Sequence, residues 1–472
     1  MYVRIYHKKQ NGKIYRTAYI AQTIRQGKKT IVRHVLNISH LSDAQIDAIK
    51  NAFKAAKKDK NHANGLEVFN SRSFGAFYVF HELARGLGLH RLLGSERDAM
   101  LFLYVVIARA IHPGSMRATA FWSRRLPLFE TMGLESGFTE DDLCEAITRI
   151  MPKQAEIEEA LFEPLRIKGA SDLFLYSLSS LSGPLSYSVA GDGTGDCDHY
   201  GRYDDEVDGH RPITIGLFTS CDGKPLSIQL LSSSTEPQTF SKQIKDTINR
   251  FGVKRITMVC SCGSIPKKDA DLKGLHYVTA VPEVQLKALK SAGVIDVKAV
   301  DERLVQAHAE GTRYIIKRYR NVARDEAMML GGCSCLKTDL MTDDVEKQLI
   351  YERYNSLQRI QQDLRNMDVT NIIHESACDK DRAEVDMFIV MLAMRLLHEF
   401  QRKVEGMAEV YDELISVLSD IVCVDEAIGS VRITKVVKPV GLAQEVLNRL
   451  GMSLPDTLSV ICPINPIGTD DN

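Results

Sequence analysis

Two cysteine pairs invite a metal. Cys260-Ser261-Cys262 and Cys333-Ser334-Cys335 each place sulfurs two residues apart, and on a strand residues i and i+2 share a face. Four thiolates are a structural zinc set, but its usual spacing is Cys-x-x-Cys. Buried thiols are therefore the better reading, and metal binding by the two pairs stays open. Asp192, Asp196 and Asp198 lie in a Gly-rich stretch; they read as solvated loop acids, because a metal site would need them folded back onto a strand end. His199 and His210 read as hydrogen-bonded loop residues. Ser177 has no His-Asp relay near it in sequence, and Ser179, Ser180 and Ser182 make a lone serine uninformative, so a serine hydrolase is not expected.

Basic residues form the second chemical signal. Residues 1–60 carry fourteen Lys and Arg against three Asp, a net +11, in a chain whose overall charge is −1. A basic arm on an acidic body suits an element that meets phosphates. Its candidates are Arg4, Lys8, Lys9, Lys13, Arg16, Lys28, Lys29 and Arg33, interleaved with Tyr2, Tyr6, Tyr15 and Tyr19 that can lie along a groove or track phosphates. A second basic strand and its exit hold Arg313, Lys317, Arg318 and Arg320. The alternatives are a solvated Lys-rich face and a charged edge strand protected from aggregation.

The elements that must position these residues follow from periodicity. A length of 472 residues predicts two to four structural units, and 44% hydrophobic with 26% charged residues is ordinary for a globular protein. No run of about 18 apolar residues predicts a membrane span. The N-terminus lacks the apolar core of a secretory signal, so the ten cysteines are expected reduced, in the cytoplasm. Residues 1–38 alternate as strands with turns at Gly12 and Gly27, giving a small β-meander. Ser42 reads as the N-cap of a helix reaching about Lys60. Residues 60–65 read as a polar linker, and 75–170 as helical. Strands are then predicted at 173–176, 212–219, 225–231 and 255–259, with a hairpin turn at Asp222-Gly223 and a helix over 240–251. A mixed stretch over 280–345 precedes helices around 346–366 and 382–404. The end of the chain adds a strand at 430–437 and a helix ending near Gly451.

Three segments resemble the acidic-triad blocks of insertion-sequence DDE transposases. They are Leu173-Phe-Leu-Tyr-Ser177, Ile256-Thr-Met-Val-Cys-Ser261-Cys-Gly263, and the helix carrying Tyr354, Leu357, Ile360, Gln361, Leu364 and Arg365. Pro113-Gly-Ser115, Tyr200-Gly201, Ile215-Gly-Leu217, Asp222-Gly-Lys-Pro225, Arg324-Asp-Glu326 and Leu336-Lys-Thr-Asp-Leu340 fit in the same order. The resemblance implies an α/β protein: a ribonuclease-H-like core with a β-rich insertion, preceded by a basic β-arm and a helical domain. In active relatives, it implies, two Asp and a Glu hold two Mg2+ ions that activate water or a 3′-hydroxyl. Here Ser177, Ser261 and Gln361 stand at those positions, and neutral Ser and Gln are poor ligands for a hard cation.

The expected organisation is a basic meander and helix over 1–65, a helical domain over 66–168 and the first part of the core over 169–280. The insertion (281–345), the last core helices (346–405) and a C-terminal tail (406–472) complete it. The expected function is transposase-like DNA binding without cutting, with no catalytic residue intact. No metal or small-molecule cofactor is expected, and the partner is double-stranded DNA, with Arg365 among its contacts and a homo-oligomer left open. One alternative is an active enzyme with displaced metal ligands; Glu352 and Asp363 flank Gln361, but Asp363 sits about 200° around the helix from it. The other is a protein-interaction module or inhibitor of an active transposase.

Overall fold

The computed structural model describes residues 2–463 apart from 11–12, 27–28, 40, 59–66, 136, 170–171, 179–213, 232–236, 261–273, 296–303, 310, 319–332, 343–344, 370–379 and 429–430. The chain opens with an antiparallel sheet of β1 (Tyr2–Gln10), β2 (Lys13–Gln26) and β3 (Lys29–Asn37). Helix α1 (Asp43–Lys58) follows. Its start is fixed reciprocally: the Gln45 amide donates to Ser42 Oγ at 3.4 Å, and the Ser42 amide donates to Gln45 Oε1 at 2.9 Å. Ile46, Ile49 and Phe53 then fall on one side of the helix and bury against Ala18 and Ile20 of β2. One face of the meander is thereby covered.

After β4 (Glu67–Ser73) come α2 (Gly75–Gly86), α3 (Leu89–Leu93), α4 (Arg97–Ile111), α5 (Met116–Trp122), α6 (Leu128–Met132), α7 (Glu140–Ile150) and α8 (Gln154–Ile167). Every residue from Ala99 to Ala108 of α4 is buried, so this helix is the axis of the helical layer. Local chemistry sets the boundaries: Ser115 Oγ accepts from the Ala118 amide at the start of α5, and Thr139 with Asp142 forms a capping box on α7.

The central sheet comprises β5 (Asp172–Leu178), β6 (Thr214–Thr219), β7 (Pro225–Leu231), β8 (Arg255–Cys260), β9 (Leu275–Ala280), β10 (Val305–Ala309), β11 (Thr312–Arg318) and β12 (Cys333–Thr338). Helix α9 (Pro237–Phe251) connects β7 to β8, and α10 (Glu283–Ser291) follows β9. The spatial order is β10-β11-β12-β9-β8-β5-β6-β7. Strands β5, β6 and β7 are antiparallel neighbours; β8 runs parallel to β5 and β9 parallel to β8. The strands read as an insertion do not stand apart: β12 pairs with β9 and extends the same sheet. Asp222-Gly223 makes the β6–β7 turn as expected. Gly223 has φ of 82°, and the Arg353 guanidinium occupies the place a Cβ would take.

Helices α11 (Lys347–Asn366), α12 (Lys380–Val404) and α13 (Tyr411–Ser419) come next, followed by β13 (Val422–Ile428), β14 (Val431–Val436), α14 (Leu442–Leu450) and β15 (Thr457–Pro463). The last strands do not form a tail. They make a four-stranded antiparallel sheet in the order β15-β14-β13-β4, drawing in a strand from more than three hundred residues earlier. The sequence Val-Cys-Val-Asp-Glu-Ala-Ile hides β13, because two adjacent acids interrupt its apolar pattern. Burial of Asp425 is offset by Arg72 at 3.2 Å, Asn70 at 3.1 Å and Thr434 at 2.6 Å. Arg72 also reaches Glu130 at 2.9 Å, tying this sheet to α6.

The two faces of the central sheet are packed separately. Phe174 and Tyr176 of β5 belong with Leu357, Ile360 and Leu364 of α11 and with α12. Leu173 and Leu175 face Phe162 of α8 and Ile244 and Phe251 of α9. On that second face Glu158 is wholly buried, with Arg250 at 2.5 Å and Ser227 Oγ at 2.8 Å. Among the described residues no single helix is long and apolar enough to cross a membrane.

Candidate functional site

Ser177 sits near the end of β5, 7% exposed, with its backbone paired to Gly216. Alternation carries it with Leu173 and Leu175 toward α8 and α9. Gln361 is on α11, which packs the other face. Neither side chain hydrogen-bonds a described residue, and Ser261 lies outside the described residues. The β5–β8 register ends at Tyr176 opposite Val259, so the next step sets Ser177 level with Cys260. Asp192, Asp196, Asp198, His199, His210, Cys262, Tyr200-Gly201 and Arg324–Glu326 are likewise outside the described residues. Cys335 is buried, which pushes its thiol up to about 12, and Cys260 is buried too. Among the described residues no three His, Cys, Asp or Glu side chains converge as a metal site.

What α11 does build is a polar pocket that the sequence reading did not foresee. Tyr176, Arg353, Ser356, Arg359, Asp363 and Ile360 line it from β5 and α11. Met394, His398 and Gln401 of α12 and Gly223 and Pro225 of the β6–β7 hairpin close it. The sequence carried a signal for it. Residues 353, 356, 360 and 363 fall on one helical stripe, and 394, 398 and 401 on another.

Electrostatics in the pocket are set mainly by burial. Burial pushes the Asp363 carboxyl up to about 6, although Gln401 Nε2 donates to it at 3.2 Å and Arg359 lies near. Asp363 is thus a half-buried partner of α12 rather than a solvated acid. Burial pushes His398 down to about 4, with Arg359 adding repulsion. Arg395 beside the pocket donates to the Pro225 carbonyl at 2.5 Å, and burial lowers its guanidinium to about 10. The Tyr176 hydroxyl is held up by burial against the pull of Arg353 and makes no hydrogen bond of ordinary geometry to a described residue. Burial opposes the Asp222 charge, yet Lys224 and Ser220 together keep its carboxyl below the usual range. The pocket therefore offers guanidinium and amide donors around one carboxyl that takes up a proton near pH 6. It offers no pair of carboxylates for a divalent cation.

The basic candidates divide. Arg4, with its guanidinium 5.0 Å from the Tyr6 ring centre, and the exposed Lys9 are on the meander. Arg16 is spent internally, donating to the Leu41 carbonyl at 2.7 Å and pairing with Asp43. Arg33 pairs with Asp456 across the chain at 2.5 Å. Lys8, Lys13 and Lys29 lie in β1, β2 and β3; Lys28 and Arg320 are outside the described residues. Arg313 is a correction. It is 1% exposed and donates to the carbonyls of Met341 and Val345 and to Gln306, so it braces the sheet and cannot reach a phosphate. Lys317 sits 4.9 Å from the Tyr351 ring centre, Arg318 ends β11, and Arg365 is exposed on α11.

No family model matches this chain, and no curated protein matches it. Among solved structures, a chain of the piggyBac transposase synaptic complex with hairpin DNA is similar at a TM-score of 0.26 and 12% identity. The match covers 73% of this chain and 84% of that one. At that score the likeness carries no weight for fold or function.

Proposed function

We propose that the chain is a transposase-like, DNA-binding protein on a ribonuclease-H-like core, and that it does not cut DNA. The observation that carries this reading is the central sheet. Three antiparallel strands, a helix, and a strand returning parallel to the first are the arrangement the sequence resemblance implies. The inserted strands β10–β12 and then α11 follow in the implied order. Against cutting stands the sequence resemblance itself: the positions it implies for the metal ligands hold Ser177, Ser261 and Gln361, which have no charge with which to hold Mg2+. The basic meander is the proposed phosphate contact, and duplex DNA the proposed partner.

The test is duplex binding across a salt series. Association should weaken with salt. With Lys8, Lys9, Lys28 and Lys29 changed to Gln, the slope should fall by about 0.9 for each phosphate no longer neutralised. A flat salt dependence removes the DNA-binding reading. Strand cleavage by the native chain with Mg2+ or Mn2+ on terminal-repeat DNA removes the non-cutting one.

A further inference from the structure

We propose that the open face of the meander is a stacking platform for an unpaired base of a single-stranded or splayed nucleic acid. The proposal rests on the DNA-binding reading and narrows what this surface holds. Tyr6 of β1, Tyr19 of β2 and His34 of β3 form one aromatic cluster across the three strands. Tyr19 and His34 are stacked, with ring centres 4.4 Å apart and planes 10° from parallel. Tyr6 meets both edge-on, at 6.2 Å from Tyr19 and 5.8 Å from His34. Its hydroxyl lies 3.2 Å from His34 Nε2, which fixes the imidazole orientation.

Three features separate this cluster from ordinary core. The hydrophobic residues of the meander, Val3, Ile5, Ala18 and Ile20, are packed with α1 on the opposite face. The aromatic cluster is on the uncovered side, where Tyr6 is 38% exposed and His34 is exposed as well. The third feature is charge. Arg4 lies over the Tyr6 ring, within a segment carrying +11 over residues 1–60, so a phosphate chain is attracted to the place where the rings stand.

Two rings already held parallel are a short column to which a base can add as the next layer. Every base has a π-face, so such a platform tolerates sequence. A base inside a duplex shows only its edge in a groove and cannot stack on it. The occupant is therefore an unpaired base, such as occurs in an overhang, a bubble or a hairpin tip.

The experiment compares fluorescence-anisotropy binding of the full chain to a labelled oligothymidylate of about 12 nucleotides, to a blunt duplex of the same length, and to that duplex with a single-stranded overhang. Tyr19→Leu with His34→Leu removes the rings. Tyr19→Phe with His34→Phe keeps them, and circular dichroism confirms that both proteins fold. Ring removal should weaken single-strand and overhang binding by about tenfold or more. Blunt-duplex affinity and its salt slope should stay unchanged, and the Phe variant should bind as the native chain does. Equal loss on single strand and duplex overturns the platform, as does no loss on either, while duplex binding itself leaves the DNA-binding reading standing. No binding to any of the three nucleic acids overturns both.

Discussion

Asp363 and His398 line one pocket, and burial shifts the two in opposite directions, so a single substitution should expose a pH dependence that the native protein conceals. Burial raises the Asp363 carboxyl from 3.8 to about 6. Between those values the native state holds a proton that the unfolded chain has released. Stability therefore falls as pH rises through the window, by about 3 kcal/mol at 1.36 kcal/mol per pH unit. Burial lowers His398 from 6.5 to about 4. There the unfolded chain binds the extra proton, and stability falls as pH drops, again by about 3 kcal/mol. The two effects nearly cancel between pH 4 and 6. Asp363→Asn keeps the shape and a partner for Gln401 but removes the carboxyl. Urea unfolding followed by circular dichroism should give equal stabilities for native and variant near pH 4. By pH 7 the variant should be more stable by up to about 3 kcal/mol. A stability difference independent of pH would refute the claim that Asp363 is held largely protonated below its raised value.

Further outcomes follow from single contacts. Glu158→Leu removes the buried carboxylate that holds Arg250 at 2.5 Å and accepts from Ser227 Oγ, while Arg250 keeps the Ala155 carbonyl at 3.2 Å and Glu159 at 3.7 Å; chemical denaturation should show a loss of about 1–3 kcal/mol, with Glu158→Gln milder. Gly75→Ala puts a methyl 2.6 Å from Ile421 Cβ and against the Leu418 carbonyl. It should lower stability by about 1–3 kcal/mol in a thermal scan, whereas Gly86→Ala meets nothing within 4 Å and should be neutral or stabilising. Arg313→Met leaves the Met341 and Val345 carbonyls without their donor, at about 1–3 kcal/mol for each. Duplex affinity of the folded variant should be unchanged, and a selective loss of affinity would return Arg313 to the DNA contact.

Much of the secondary structure was legible because its signals are local. The expected strand over 225–231 is β7 (Pro225–Leu231), and the helices around 346–366 and 382–404 are α11 (Lys347–Asn366) and α12 (Lys380–Val404). Ser42 caps α1 as expected, and Gln45 returns the bond to its amide. Strands whose stability comes from distant partners were missed. Glu67–Ser73 reads as polar because Arg72 and Asn70 point to an acid on β13. The same distance hid the pocket: its two stripes are visible in α11 and α12 separately, but nothing local says that they face each other.

By itself the sequence determined the charge of the arm, the strands and helices with strong local signals, and the absence of carboxylates at positions 177, 261 and 361, since each depends only on residue identity and short-range periodicity. The tertiary structure alone decided which charges are usable. It sank Arg313 beneath two backbone carbonyls, tied Arg16 to the Leu41 carbonyl and Asp43, and stood Tyr19 against His34 across neighbouring strands. Burial and cross-strand register are properties of the packed chain, and they set whether a side chain meets solvent, a partner or a ligand.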